Sequence, residues 1–161
     1  RPVQNADEGA VGDQTDCQAG RSPAEHPGRL IYSVAMQGHF ELTIERTFNA
    51  THALTMYDGQ AEPMHGHDWG VSVTIASPTL DQIDVVVDFH ELESTLDQIL
   101  GPWHHGCLND DPAFAACNPS AERVAERIAR QLGSRLPDRV QLVSVSVTEA
   151  PGCVATYRPA Q

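Results

Sequence analysis

The sequence predicts a single α+β domain, and three observations predict it. Phe40, Leu42 and Ile44 alternate with Glu41, Thr43 and Glu45, the period-two pattern of a half-buried strand. Two later segments carry apolar residues at helical spacing instead. A further alternating run then places Val143, Val145 and Val147 against Ser144, Ser146 and Thr148. Strands on either side of a pair of helices read as an antiparallel sheet with the two helices on one face, in the order ββααββ.

Each element has its own signal. Residues 1–29 are rich in Gly, Pro, Asp, Glu and Gln and poor in large apolar side chains, so they read as a disordered N-terminal arm, with 30–161 as the folded domain. The parity of the first strand reaches Phe48 and, past an expected bend, His52. Asp58-Gly59 signals a turn. A second strand runs from His65 to Ala76, with His65, His67, Trp69, Val71, Val73 and Ile75 on one side, until Ser77-Pro78 breaks it. Ile83–Asp88 is β-branched and reads as a short third strand. Phe89, Leu92, Leu96, Ile99 and Leu100 recur at helical spacing, and Gly101-Pro102 stops that helix. The segment from Trp103 to Asn118 reads mostly as loop. Ser120 is a candidate N-cap for a second helix with Ala121, Val124, Ala125, Ile128, Ala129 and Leu132 on its apolar face and Gly133 after it. A last short strand covers Val154–Tyr157.

Composition excludes several function classes. The chain has 161 residues and a net charge of −12, and its ten basic residues are all arginine. Nucleic acids and anionic membranes need a basic field, which this composition does not supply. There is no apolar run near membrane-spanning length and no basic-then-apolar leader, so a cytoplasmic location is the expectation. Cys17, Cys107, Cys117 and Cys153 lack the spacing of a metal-binding pair and read as free thiols.

The chemistry concentrates at His65-Gly66-His67. Side chains at i and i+2 of a strand share a face, so both imidazoles point inward with the apolar residues that follow them. An inward histidine needs a partner, and a metal is an efficient one. A third imidazole would complete the three protein ligands of a catalytic zinc site; His52 lies thirteen residues upstream of His65 and Glu62 three. Gly66 leaves room for a close approach to the backbone. Glu149 continues the inward parity of Val143, Val145 and Val147. It either reaches solvent at the strand end or anchors a ligand that presents several N–H donors in one plane.

Several ordered motifs together resemble one family. They are Phe48-Asn49-Ala50-Thr51-His52, His65-Gly66-His67-Asp68-Trp69, Val87-Asp88-Phe89, His105 ahead of Leu108-Asn109, Pro119-Ser120-Ala121-Glu122, and Val147-Thr148-Glu149-Ala150. Over residues 40–158 the chain resembles the 6-pyruvoyl-tetrahydropterin synthase / 6-carboxytetrahydropterin synthase family of the tunnelling fold. The resemblance implies that His52, His65 and His67 bind Zn2+ and that Glu149 holds a pterin ring. It implies a homo-oligomer, a trimer or hexamer closing into a barrel, with Ser120 and Glu122 near a neighbour's pocket. The implied substrate is 7,8-dihydroneopterin triphosphate.

The chain departs from the family pattern at two positions. Ala61 stands where a catalytic cysteine is usual. Glu62 beside it makes this chain resemble the subgroup in which glutamate replaces cysteine, with a 6-hydroxymethyl-dihydropterin product on the way to folate; Glu62 is then the candidate base. His104 stands where an aspartate usually orients the next histidine, which leaves His105 as a proton shuttle with a changed partner and Cys107 as an alternative nucleophile. A lysine-free chain also offers few cations to a triphosphate, with Arg46 nearest the motif in sequence and Arg123 and Arg158 able to approach by folding. A dephosphorylated pterin and a 6-carboxytetrahydropterin product therefore stay open. Two rivals remain. Gly59 followed by His65-x-His67 fits half of a cupin motif, but two amphipathic helices do not suit an all-β barrel. The other is a non-catalytic, zinc-bearing pterin-binding oligomer.

Overall fold

The computed structural model describes residues 38–160. Within them, β1 (Phe40–His52) and β2 (His65–Ser77) pair antiparallel along their whole lengths, from Phe40 opposite Ser77 to His52 opposite His65. The expected bend before His52 is absent: β1 runs unbroken to its last residue. The chain continues through α1 (Phe89–Leu100), the two-residue β3 (Gly106–Cys107), α2 (Ala121–Gly133), β4 (Gln141–Ala150) and β5 (Cys153–Tyr157). The strand order is β3-β1-β2-β4-β5.

The sheet is mixed rather than wholly antiparallel. β3 lies parallel to β1, with Gly106 opposite Ala50 and Cys107 opposite Thr51. A two-residue strand within a polar loop has no periodicity to announce it. The same stretch holds three single 3-10 turns, which anchor Trp103, Leu108 and Phe114 in the interior.

Alternation builds the core. Ile44, Phe48, Val71, Val73, Val145 and Val147 share the face on which both helices pack, and each is at most 5% exposed. Phe48 stacks on its cross-strand partner Trp69 at 5.9 Å, and the Trp69 indole N–H donates to the Ala50 carbonyl. All six residues read as the apolar face of α2 are buried. In α1, Leu92, Leu96, Ile99 and Leu100 are buried, but Phe89 is not. It is the first residue of the helix and is half exposed. The opposite face of the sheet is polar, with cross-strand bonds between Thr43 and Thr74 and between Ser146 and Thr156.

The strand expected over Ile83–Asp88 does not form. Asp81 accepts the backbone N–H groups of Ile83 and Val85 on its carboxylate, and Asp84 takes a left-handed φ of 63°. Side-chain capture of the backbone by an aspartate curls the segment into a turn before its β-branched residues can extend. Only Val86 of the run is buried, held by an Arg139 guanidinium bond to its carbonyl.

Two predictions follow from this packing. Leu132 in α2 is fully buried, so Leu132→Ala is expected to cost about 3 kcal/mol in a denaturant melt. Asp88 caps α1 by accepting the His90 N–H, which is the main reason its carboxyl is held below the usual range. A folded-state pKa below the unfolded one stabilises above the ordinary carboxylate range and loses that contribution as pH falls through the folded value. Asp88→Asn keeps a capping oxygen but cannot titrate, so Tm measured against pH should fall less steeply on the acid side for this variant.

Candidate metal centre

The paired ends of β1 and β2 bring His52 and His65 together by register, and His67 follows on the same face of β2. Their ring centroids lie 4.6 to 5.4 Å apart. Glu149 reaches them from β4. It sits where β4 and β5 lose step: Thr148 faces Val154 and Ala150 faces Cys153, so Glu149 is the extra residue of a bulge. Bulges re-aim side chains. This carboxylate is aimed at His52 Nε2 (3.1 Å) and His67 Nε2 (3.4 Å). One ligand atom from each of the four residues lies within 4.8 Å of the other three.

The hydrogen bonds around the rings decide what the centre can hold. His52 Nδ1 lies 2.9 Å from the Pro119 carbonyl and His65 Nδ1 lies 2.8 Å from the Pro63 carbonyl. A carbonyl only accepts, so both Nδ1 atoms carry a proton, and in the neutral ring each Nε2 atom presents a lone pair. His52 Nε2 and His67 Nε2 are buried and make no aligned hydrogen bond among the described residues. With the rings neutral, lone pairs and a carboxylate converge, and His52 itself is fully buried. Such an arrangement is costly unless a cation joins it. Three imidazoles, two of them with outer N–H groups held by carbonyls, together with one carboxylate form a donor set that suits zinc.

The neighbouring segments tie down the loop that links β1 to β2. Asn109 clamps Ala53, accepting its N–H at 2.9 Å and donating to its carbonyl at 2.7 Å. Asn118 does the same to Thr55 at 2.8 and 2.9 Å. Between them, Glu62 accepts the Leu54 N–H on Oε1, which lies 3.8 Å from His65 Nδ1. Glu62 therefore sits at the rim of the imidazole cluster. Sequence reasoning missed both clamps and the two proline carbonyls. Asn109 was visible only as part of a motif, and a backbone carbonyl leaves no mark in side-chain identity.

The remaining candidates lie further out. His105 is exposed, takes a left-handed φ of 61°, donates its backbone N–H to the Asn49 carbonyl and lies against the His104 ring at 3.8 Å in a tilted contact, outside the four-residue group. His104 Nδ1 accepts the Asn49 N–H, so that nitrogen carries no proton. Ser120 adjoins Pro119 at the start of α2 but caps no N–H with its side chain. Its hydroxyl bonds to the Glu122 carboxylate, the main reason that carboxyl is held below its usual range. Cys107 Sγ is 3.9 Å from Met64 Sδ and 3.9 Å from Asn109 Oδ1. Gly66 does permit a close approach, and the approaching group is the Thr51 methyl: a Cβ on Gly66 would lie 3.3 Å from it.

Comparison with known proteins places the chain. The family described as 6-pyruvoyl tetrahydropterin synthase matches residues 41–160. The chain belongs to that family. It is 29% identical over 138 residues to a 6-carboxy-5,6,7,8-tetrahydropterin synthase of Bacillus subtilis, covering 80% of this chain and 92% of the relative. It is 30% identical over 123 residues to a protein of Halobacterium salinarum described as a probable 6-carboxy-5,6,7,8-tetrahydropterin synthase, covering 66% and 79%. Among solved structures, the 6-pyruvoyl tetrahydropterin synthase of Caenorhabditis elegans shares the fold with a TM-score of 0.67 at 19% identity, covering 77% of this chain and 98% of that one. A Plasmodium vivax 6-pyruvoyltetrahydropterin synthase, solved with a catalytic glutamate replaced by alanine, has a TM-score of 0.61 at 18% identity, covering 76% and 98%.

The donor set makes metal content directly testable. After dialysis against zinc and then metal-free buffer, the chain is expected to retain about one zinc per protomer by elemental analysis. His65→Ala, at a half-exposed position, should lose it while the circular dichroism spectrum is kept. Because the ligands must be deprotonated, retention should also fall as the dialysis buffer is made acidic.

Proposed function

We propose that this chain is a zinc-dependent lyase or synthase acting on 7,8-dihydroneopterin triphosphate or a related dihydropterin. The observation that carries the reading is the convergence of two buried, unpartnered Nε2 atoms with a third imidazole and a carboxylate in a chain of this family. The names of its relatives support a tetrahydropterin product, and 6-carboxytetrahydropterin is the one they name. Glu62 in place of the usual cysteine supports 6-hydroxymethyl-dihydropterin instead.

In this reading His52, His65 and His67 hold the zinc, which supplies Lewis-acid polarisation of the substrate's side-chain hydroxyls. Glu62 takes the proton. Its bond from the Leu54 N–H fixes the carboxylate at the rim, and a carboxylate has accepting capacity beyond that one bond. The catalytic glutamate of the Plasmodium vivax enzyme supports assigning the base to this residue type. Glu149 accepts from the N–H edge of the pterin ring, for which its strand-end position and accepting oxygens suit it. His105 is the proton shuttle. It lies away from the cluster of its own chain, as expected if it serves a site completed by a second subunit. Ser120 and Glu122 face such a neighbour in the same way, so the working unit is a trimer or hexamer.

A non-catalytic pterin-binding oligomer is the second reading. The engagement of Glu62 with Leu54 and the presence of His104 beside His105 favour it. One experiment separates the two. Zinc-loaded protein is incubated with 7,8-dihydroneopterin triphosphate and with 7,8-dihydroneopterin, and products are identified by mass. Glu62→Gln, which keeps an acceptor for Leu54, is expected to lower turnover by roughly 10²–10⁴-fold with the fold and metal content retained. Wild-type protein that binds pterin without converting it would establish the binder instead.

A further inference from the structure

Two roles converge on the Glu149 carboxylate, and one position does not serve both. Its Oε1 lies 3.1 Å from His52 Nε2 and 3.4 Å from His67 Nε2, so it stands among the atoms that would hold a metal. The pterin reading gives the same carboxylate the N–H edge of the ring. That edge and the side chain lie at opposite ends of a fused bicycle. With the side-chain hydroxyls at the metal, the N–H edge falls the width of a ring system away. A carboxylate in contact with the imidazole nitrogens does not reach it.

The surroundings leave this carboxylate free to move. Glu62, the other carboxylate near the rings, is tied by the Leu54 N–H, and the His52 and His65 rings are tied by proline carbonyls. Among the described residues, Glu149 touches ring nitrogens and accepts no backbone N–H or hydroxyl. Its backbone stands outside the β4–β5 pairing, and its side chain is 28% exposed where His52 is 0%. A glutamate turns about three side-chain torsions, so its head can leave the imidazoles while the strand stays fixed.

The number of ligands decides what such a centre can do. Four protein ligands close a zinc site, whereas three leave the position that a substrate takes. Resting on the pterin reading above, we propose that Glu149 exchanges partners. Without pterin it is the fourth ligand and closes the centre. A bound pterin ring draws it onto the N–H edge and frees the position that the side-chain hydroxyls occupy. Recognition of the ring is then the condition for opening the metal, and a hydroxylated molecule without the ring meets a closed centre.

The test uses the full chain loaded with Co2+, which accepts the same imidazole and carboxylate donors and whose visible bands respond to a change of ligand. The probe is pterin itself, which has the N–H edge but no side-chain hydroxyl, and its binding is followed by its own fluorescence. Pterin bound to the wild-type chain should change the cobalt bands although it brings no hydroxyl to the metal. Glu149→Gln should differ from wild type in those bands before any ligand is added, and bound pterin should leave them unchanged. Its zinc affinity, measured by competition with a chelator, should fall by at least about ten-fold, since losing even a group that only supports a ligand costs that much. The wild-type titration decides alone if the variant does not fold. A carboxylate that merely pairs with protonated rings in the metal-free chain gives equal zinc affinity and equal bands in both chains, which overturns the exchange. Pterin that binds the wild-type chain without moving its bands overturns it too, and both results leave the pterin reading standing. A chain that binds no pterin overturns the pterin reading and the exchange with it.

Discussion

The register of β1 against β2 is the constraint on which the rest depends. One alignment puts Ile44 opposite Val73, Phe48 opposite Trp69 and His52 opposite His65. Side-chain direction alternates at every residue, so a slip of one position would turn the apolar set to solvent and the imidazoles away from each other. Core and cluster are thus specified by the same pairing. The apolar stretch holds the register, and the histidines at its end inherit their geometry from it. Burying His52 without a bonded Nε2 is an expense that the surrounding hydrophobic contacts offset.

A second layer fixes the approach to that strand end. Asn109 and Asn118 each take a backbone N–H and return a bond to the carbonyl of the same residue, imitating a strand partner for Ala53 and Thr55. The Pro119 carbonyl locks the His52 ring from the start of α2. The loop after β1 is held from three sides by groups far away in sequence. Glu62 therefore stands near the imidazoles by restraint rather than by flexibility. Its Leu54 bond takes part of its accepting capacity and fixes its orientation in return.

Much of this was legible in the sequence because alternation and helical spacing are strong signals in long elements. The inward side of β1 and β2, the buried face of α2 and the grouping of His52, His65 and His67 came from parity and motif, whereas Glu149 was legible as an inward carboxylate and not as a member of their cluster. The misreadings fall where local chemistry overrides pattern. Ile83–Asp88 looked extended by composition, yet the Asp81 carboxylate captures its backbone. β3 is too short to carry a period, and its parallel pairing with β1 depends on the fold around it. Phe89 has the right spacing but, as the first residue of its helix, stays half exposed. Tautomers and carbonyl locks are invisible to residue identity, although they determine that the cluster presents lone pairs. The N-terminal arm lies outside the described residues.

The bulge at Glu149 gives the centre an unusual form of encoding. Val145 and Val147 hold β4 in the core by ordinary alternation, and the surplus residue then sets β5 back by one step. The carboxylate's aim is thereby written in the length of the chain between Thr148 and Cys153 as much as in the identity of the residue. A family scan that scores only which amino acid occupies each column would count a one-residue deletion here as a minor gap. Structurally, that gap would leave the interior intact and convert a converging site into a plain sheet margin. Insertions and deletions in this short stretch are therefore where this chain would part with the converging donor group without parting with the fold.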